Sequence, residues 1–158
     1  MSSHSIDLSQ LVAVRGLDLP NPPGSVATYV PYTRSGSLIL LSGQIPFCDG
    51  KVLYTGHLGS DVSLQDGAKA AQLCLLNLLA HLQVALRETP SPILRCVRLG
   101  GFIQATPQFT EHAKVMNGAS DLLVDLLGEH GRHARSTVGV SSLPLNASVE
   151  IDGVFSIA

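Results

Sequence analysis

One fixed cation and one carboxylate lie in two apolar segments near the C-terminus of this 158-residue chain. Arg135 belongs to the segment 133–140, HARSTVGV, and Glu150 to the segment 149–151, VEI. A guanidinium inside an apolar strand is unfavourable unless an anion accompanies it. The residue types leave two interpretations of Arg135 open: a two-pronged grip on a substrate carboxylate, or a structural salt bridge to Glu150 or Asp152.

Glu150 has two interpretations of its own. In a strand with a side-chain period of two, Glu150 and Asp152 share one face and Val149 and Ile151 share the other. A carboxylate in that position either holds and polarises a water as a general base, or is a solvated strand residue. His133 is not favoured as an acid or base, because no neighbouring residue in the sequence orients it.

Three further residues complete the candidate pocket on sequence grounds. Ser42 and Gly43 open the segment 42–46, SGQIP, which ends a predicted strand. They offer a hydroxyl and backbone N–H groups to an anion, or they form an ordinary strand-end turn. Tyr29, in the preceding predicted strand, either lines a pocket or packs as aromatic residues on strands commonly do.

The composition excludes several classes of function. The chain is 45% hydrophobic and only 14% charged, below the roughly 25% charged residues of typical soluble domains. That deficit predicts apolar surface covered by other copies of the chain. A net charge of −2, with no basic cluster and no Trp, argues against nucleic-acid binding. The scattered Cys48, Cys74 and Cys96 and the unpaired histidines predict reduced thiols and no metal site.

We expect a cytoplasmic protein with no membrane partner. The polar N-terminus has no apolar signal-peptide core. The apolar stretch 73–86 is interrupted by Asn77, His81 and Gln83, which argues against a membrane span.

The hydrophobic pattern predicts a single α+β domain of order β-β-α-β-α-β-β, with two helices on one face of a sheet. Strands are predicted at 26–33, 37–42, 93–104, 134–141 and 147–157, and helices at 63–87 and about 112–127. Segment 47–59 is predicted as a loop with a short strand. In the strand 93–104, alternation places Val97 with Leu99, opposite Cys96. Prolines at 20, 22 and 23 divide an N-terminal extension, 1–24, from the domain, 25–158.

At these residues the chain resembles the Rid family, also called the YjgF type. The resemblance runs from Tyr29 to the C-terminus, and Arg135 precedes Glu150 by fifteen residues, as in the family's arginine–glutamate pair. The matching pieces, in order, are Tyr29, Ser42-Gly43-Gln44-Ile45-Pro46, Ala134-Arg135-Ser136, Leu143-Pro144 and Val149-Glu150-Ile151. The chain is most similar to a longer-chain subgroup, through Asn117-Gly118-Ala119-Ser120 and Gly131 to Ser136.

The resemblance implies a chorismate-mutase-like fold with a mixed sheet, a homotrimer with sites between subunits, and no cofactor or metal. It implies hydrolysis of reactive 2-imino or enamine acids to 2-oxo acids and ammonia. Arg135 would hold the substrate carboxylate and Glu150 the attacking water, while Tyr29, Ser42, Gly43 and Thr137 would line the site.

Two positions depart from the family pattern. Thr137 replaces a residue that is often Cys in the deaminases, and Gly139 stands where an acidic residue is often found. These changes keep a second function open, a module that binds a small carboxylate without turnover. An endoribonuclease or translation inhibitor is a weaker alternative, because the chain has no basic face.

Overall fold

The computed structural model describes residues 5–22, 24 and 27–158. Its helices are α1 (Leu8–Ala13), α2 (Leu64–Glu88) and α3 (His112–Leu127). Its strands are β1 (Tyr32–Ser35), β2 (Leu38–Gln44), β3 (Phe47–Cys48), β4 (Lys51–Val52), β5 (Leu94–Gln104), β6 (Ala134–Val140) and β7 (Val149–Ile157).

The fold is a five-stranded mixed sheet, in the order β1-β2-β7-β5-β6. Strands β5 and β6 pair in parallel, and the other neighbours in this sheet are antiparallel. The predicted α+β class and mixed sheet are confirmed. The predicted loop at 47–59 contains two short strands, β3 and β4, which pair only with each other.

Both long helices cover the same face of the sheet. Along β7, every odd-numbered residue from Val149 to Ile157 is buried and every even-numbered one is partly exposed, as the period of two predicted. Helix α2 is buried on more than the one face expected, because every residue from 74 to 83 is enclosed. It is apolar and long enough to cross a membrane, but 78% of its most apolar stretch is buried in the fold, as a core helix is.

The helix ends agree with the sequence signals. The Ser63 hydroxyl accepts a hydrogen bond from the Asp66 backbone N–H, 3.1 Å away, and caps α2. Gly128 ends α3 with φ +59°. Gly118 lies inside α3 because the two helices touch there: a Cβ on it would lie 2.1 Å from the Ala68 carbonyl oxygen.

Two strand predictions are wrong in detail. The first strand begins at Tyr32 rather than 26, so Tyr29 lies in a bend before it, while residues 25 and 26 fall outside the described residues. In β5, Cys96 and Leu99 are both buried and Val97 is exposed, because the pairing with β7 shifts between Cys96 and Arg98. This bulge moves Cys96 to the core face.

The N-terminal segment packs against the rest of the chain. Leu8 and Val12 of α1 are fully buried, and the Leu8 N–H donates to the Gln83 side chain at 2.6 Å. The boundary predicted at residue 24 stays a prediction.

Candidate functional site

Arg135 lies on β6, an edge strand, and its side chain is held by α3. It is in register with Leu99 of β5, whose side chain is in the core beneath the helices. Its Nη1 donates to Asn117 Oδ1 at 2.9 Å and to Ser120 Oγ at 3.0 Å. Both acceptors are neutral, so the guanidinium keeps its full charge.

The alternative salt bridge from Arg135 to Glu150 or Asp152 does not form. No ion pair within the described ranges includes Arg135. Asp152 instead lies 3.8 Å from Arg98 Nη1 on the opposite side of the sheet. With no carboxylate of the chain described here beside it, the Arg135 cation remains available to an external anion.

Ser120 and His133 extend the contacts of Arg135. Ser120 Oγ and His133 Nε2 are 2.9 Å apart, and His133 Nδ1 is 2.6 Å from the Gly131 carbonyl oxygen. The residues next to His133 in the sequence predict nothing that orients its ring. The structure orients it, through a backbone carbonyl two residues away and a hydroxyl thirteen residues away.

Sequence reasoning therefore missed Asn117 and Ser120 as site residues. They are three residues apart, so they lie on the same face of α3. The available signal was the resemblance to the longer-chain subgroup, whose two motifs contain these residues and Arg135. The contacts among Asn117, Ser120, His133 and Arg135 join the two motifs physically.

An open cleft of about 200 Å³ borders this group, lined by Ser120, Val124, Arg132, His133 and Arg135. Arg132 Nε lies 3.1 Å from Glu129 Oε1 at the surface, which partly neutralises it. Arg135 is thus the cation of this cleft that no carboxylate of the described chain accompanies.

Thr137 and Gly139 follow Arg135 along the same face of β6. The Thr137 hydroxyl oxygen is shielded from solvent and has no hydrogen-bond partner in the part of the chain that is described. At Gly139, a Cβ would lie 2.6 Å from His112 Nε2. The His112 ring therefore fills the space that an acidic side chain at this position would need.

Glu150 lies on the central strand β7 and points to the other face of the sheet. Glu150 pairs with Phe102 of β5, whereas Arg135 pairs with Leu99 of the same strand. Leu99 and Phe102 are three residues apart, so their side chains lie on opposite faces of the sheet. Glu150 and Arg135 therefore also lie on opposite faces. Burial, and secondly the charge of Asp152, raise the pKa of the Glu150 carboxyl above its ordinary value. None of the described residues donates a hydrogen bond to it.

Gly43 makes room for the Glu150 carboxylate. Leu41 pairs with Gly153 and Gln44 with Ile151, so a step of three residues in β2 lies opposite a step of two in β7, and Gly43 lies in this bulge. A Cβ on Gly43 would lie 2.1 Å from Glu150 Oε1. Gly43 and Glu150 therefore lie next to each other within one chain.

Ser42 takes the ordinary turn role that the sequence left open. Its hydroxyl donates to the Val30 carbonyl oxygen at 2.6 Å, and its N–H donates to that of Pro31 at 2.9 Å. These bonds attach the segment after Tyr29 to β2. Tyr29 itself is 52% exposed.

The thiols are not activated. Burial raises the pKa of Cys96 to about 12 and that of Cys74 well above its ordinary value. Over 5–22, 24 and 27–158, no three His, Cys, Asp or Glu side chains form a group that could hold a metal ion.

The chain belongs to the YjgF family, also known as the Rid family. Residues 8–155 match the family model described as "YjgF/chorismate mutase-like, putative endoribonuclease". It is similar to protein TCP17 of Trypanosoma cruzi, with 39% identity over 143 residues that cover 90% of this chain and 89% of that protein.

Solved structures agree with this assignment. Atu1372 of Agrobacterium tumefaciens, described as of unknown function, is 43% identical and covers 95% of this chain and 91% of its own, with a TM-score of 0.85. The E. coli YjgF gene product is 26% identical. The match covers 87% of this chain and 93% of that protein, with a TM-score of 0.60. E. coli TdcF, solved with bound serine, is 25% identical. The match covers 87% of this chain and 94% of that protein, with a TM-score of 0.60.

Proposed function

We propose that this protein hydrolyses 2-imino or enamine acids to 2-oxo acids and ammonia, at clefts between the subunits of a homotrimer. The observation that carries the proposal is the state of Arg135: a full positive charge, held by neutral acceptors, beside an open cleft. Such a group binds a planar carboxylate well. The serine bound to the related TdcF also carries a carboxylate.

In the proposed reaction, Arg135 grips the substrate carboxylate and Glu150 holds a water. Water oxygen attacks the carbon of the protonated imine while the Glu150 carboxylate accepts a proton from the water, which gives a neutral carbinolamine. The protonated carboxyl returns that proton to nitrogen. As the C–N bond breaks and the C=O bond forms, the hydroxyl proton passes to the Glu150 carboxylate, and ammonia and the 2-oxo acid leave; Glu150 then loses this proton to ammonia or to solvent. The imine is already electrophilic, so orientation and one held water supply the catalysis.

Two groups of residues from different subunits form each proposed cleft. Arg135, with Thr137 beside it, faces the helices, whereas Glu150 and Gly43 lie on the open face of the sheet. We therefore assign Arg135 and Thr137 to one subunit and Tyr29, Ser42, Gly43 and Glu150 to its neighbour. Leu38, Leu40 and Val138, exposed by 38%, 39% and 48%, give the open face the apolar surface that assembly would cover.

The proposal is tested by generating imines in situ with an amino-acid oxidase and trapping them with semicarbazide. We expect wild type to divert the imine from the trap, and Arg135→Ala and Glu150→Gln to lose this protection. Ser136→Ala, an exposed change next to Arg135, is the matched control and keeps it. Absence of protection by wild type, with both small and bulky imines and an active deaminase as reference, rejects the reaction.

Mixed trimers test whether the cleft is shared. Arg135→Ala and Glu150→Gln, unfolded together and refolded, recombine an intact Arg135 with an intact Glu150. Random assembly makes about three quarters of the trimers mixed, each with one complete cleft of three, so about a quarter of wild-type activity returns. If no activity returns from verified mixed trimers, both residues act within one chain.

A second function, carboxylate binding without turnover, is favoured by Gly139, where the His112 ring occupies the space beside the strand and the acidic residue common in deaminases is absent. It predicts that wild type binds a 2-oxo acid in calorimetry but never diverts an imine from the semicarbazide trap.

The endoribonuclease activity in the family description predicts RNA binding that weakens steeply with salt. A chain with net charge −2 is a poor fit to that, and we expect no binding at low salt. Cytoplasmic location stays a prediction.

A further inference from the structure

A directional chain of hydrogen bonds runs from Gly131 to Arg135. The Gly131 carbonyl oxygen can only accept, so His133 Nδ1 carries the proton in their 2.6 Å contact. Where Nδ1 carries the only ring proton, Nε2 accepts from the Ser120 hydroxyl at 2.9 Å. The Ser120 oxygen then has a lone pair to accept from Arg135 Nη1 at 3.0 Å.

The hydrogen bonds to Arg135 use Nη1 of its guanidinium and leave Nε and Nη2 open. Nη1 has two N–H groups, and Asn117 and Ser120 accept one each. Nε and Nη2 donate to no residue of the described ranges. Together these two nitrogens form the parallel pair of donors that matches the two oxygens of a carboxylate.

Ser120 is well placed to fix this orientation. It is 9% exposed, on the buried side of α3, whereas Asn117 is exposed. Gly131 is buried, and a Cβ on it would lie 2.4 Å from the Leu123 carbonyl oxygen. The chain of hydrogen bonds therefore starts from a backbone carbonyl packed against α3 and ends at the guanidinium.

We propose that Ser120 and His133 are positioning residues, which lock the Arg135 guanidinium so that Nε and Nη2 grip a carboxylate side-on. This inference rests on the proposed function, in which Arg135 binds the substrate carboxylate. Ser120 and His133 touch Arg135 rather than the reacting atoms. They make the site selective for a planar carboxylate over a neutral group of the same shape.

Calorimetric titration with 2-oxobutanoate and with its neutral amide, 2-oxobutanamide, measures this selectivity. Loss of one neutral hydrogen bond predicts that Ser120→Ala raises the Kd of the carboxylate by about three- to tenfold. The Kd of the amide stays unchanged, which a general loosening of the fold would not produce. Ser120→Thr, which keeps the hydroxyl, restores the carboxylate Kd, and Ser136→Ala leaves both values unchanged.

A double-mutant cycle tests whether the two residues act as one unit. His133→Asn keeps a donor for the Gly131 carbonyl but does not reach Ser120. If the chain of hydrogen bonds is real, Ser120→Ala combined with His133→Asn is no worse than Ser120→Ala alone. Additive effects of the two substitutions, or a carboxylate Kd unchanged by Ser120→Ala, overturn the inference.

An NMR measurement keeps this inference separate from the proposed function. In protein with 15N-labelled arginine, the two Nη1 protons of Arg135 should be held and give separate, slowly exchanging signals. Ser120→Ala should collapse them, with or without ligand. If wild type neither binds 2-oxo acids nor protects imines, the proposed function fails, while these signals still decide whether Ser120 locks Arg135.

Discussion

The helix side of the sheet at Arg135 and the open face at Glu150 hold their charged groups in opposite ways. Arg135 is fixed by two hydrogen bonds to neutral acceptors, which leave its charge uncompensated. Glu150 is held by packing against Gly43, in a setting that raises the pKa of its carboxyl. A fixed cation suits the binding of an anion, and a carboxylate that readily accepts a proton suits a general base. The difference predicts which substitutions affect binding and which affect proton transfer.

The largest effect is expected from Arg135→Lys. A lysine ammonium cannot reach Asn117 and Ser120 and also present two parallel donors to a carboxylate. We expect kcat/KM for imine hydrolysis to fall about a hundredfold or more, equivalent to about 2.7 kcal/mol. Arg132→Lys is the control in the same cleft, where an exposed ion pair to Glu129 predicts less than a twofold change. Equal losses in both variants would contradict the special role of Arg135.

The next largest effect is a loss of stability from Gly118→Ala, in the helix α3 that holds Arg135. The new Cβ would lie 2.1 Å from the Ala68 backbone oxygen, so α2 and α3 must separate. We expect the free energy of unfolding, measured by urea denaturation, to fall by about 1–3 kcal/mol. Asp121→Ala, an exposed change on the same helix, should leave it nearly unchanged. A neutral Gly118→Ala would mean that the helices do not approach this closely.

Gly43→Ala sharpens the comparison on the Glu150 side. The three atoms nearest to its Cβ would all belong to the flexible Glu150 side chain, with Oε1 at 2.1 Å, so we expect the carboxylate to move and the fold to be retained. We expect kcat to fall about tenfold, equivalent to about 1.4 kcal/mol. The thermal midpoint should change little. Gly24→Ala, whose Cβ meets nothing within 4 Å, is the control. Full activity of Gly43→Ala would argue against Glu150 as the base.

The smallest effect concerns stability and pH. The raised pKa of Glu150 means that the folded chain binds this proton more tightly than the unfolded chain. Stability therefore falls as pH rises from the ordinary glutamate pKa through the raised one, and it stays lower above that window. Glu150→Gln should raise Tm above the window and leave it unchanged below the window. Wild-type activity should fall as pH decreases through the same window.

Glu129→Gln, at an exposed carboxylate, is the control for this comparison. Its Tm should follow that of wild type across the pH range. A Glu150→Gln protein that is less stable than wild type at neutral pH would show that the carboxylate has a stabilising partner.

Much of the fold follows from local patterns. The bounds of α3 and the start of α2 agree with the predictions, because three- and four-residue spacing and the Ser63 cap are local signals. The first strand was predicted too early, because β-forming residues precede Tyr32. The carbonyl oxygens of Val30 and Pro31 accept hydrogen bonds from the hydroxyl and the N–H of Ser42, so these two residues are not part of the β1 strand. The shifted face of β5 at Val97 depends on pairing with β7, which no local pattern reveals.

The candidate site divides in the same way. Arg135 and Glu150 could be identified from the sequence, because a charge in an apolar strand is unusual wherever the strand goes. Asn117, Ser120 and His133 could not be assigned roles, because their contacts exist only once α3 packs beside the edge strand β6. Their spacing showed which residues share a helix face, but not what that face touches.

The sequence by itself determined the identity of the two ionised groups, the period of the strands that carry them and the family to which the chain belongs. Only the tertiary structure decided that these groups face opposite sides of one sheet. Side-chain alternation is a local property, so it fixes faces within β6 and within β7 separately. Their relation to each other depends on how each strand pairs with β5. For that physical reason, a cleft that uses both residues is expected between chains rather than within one.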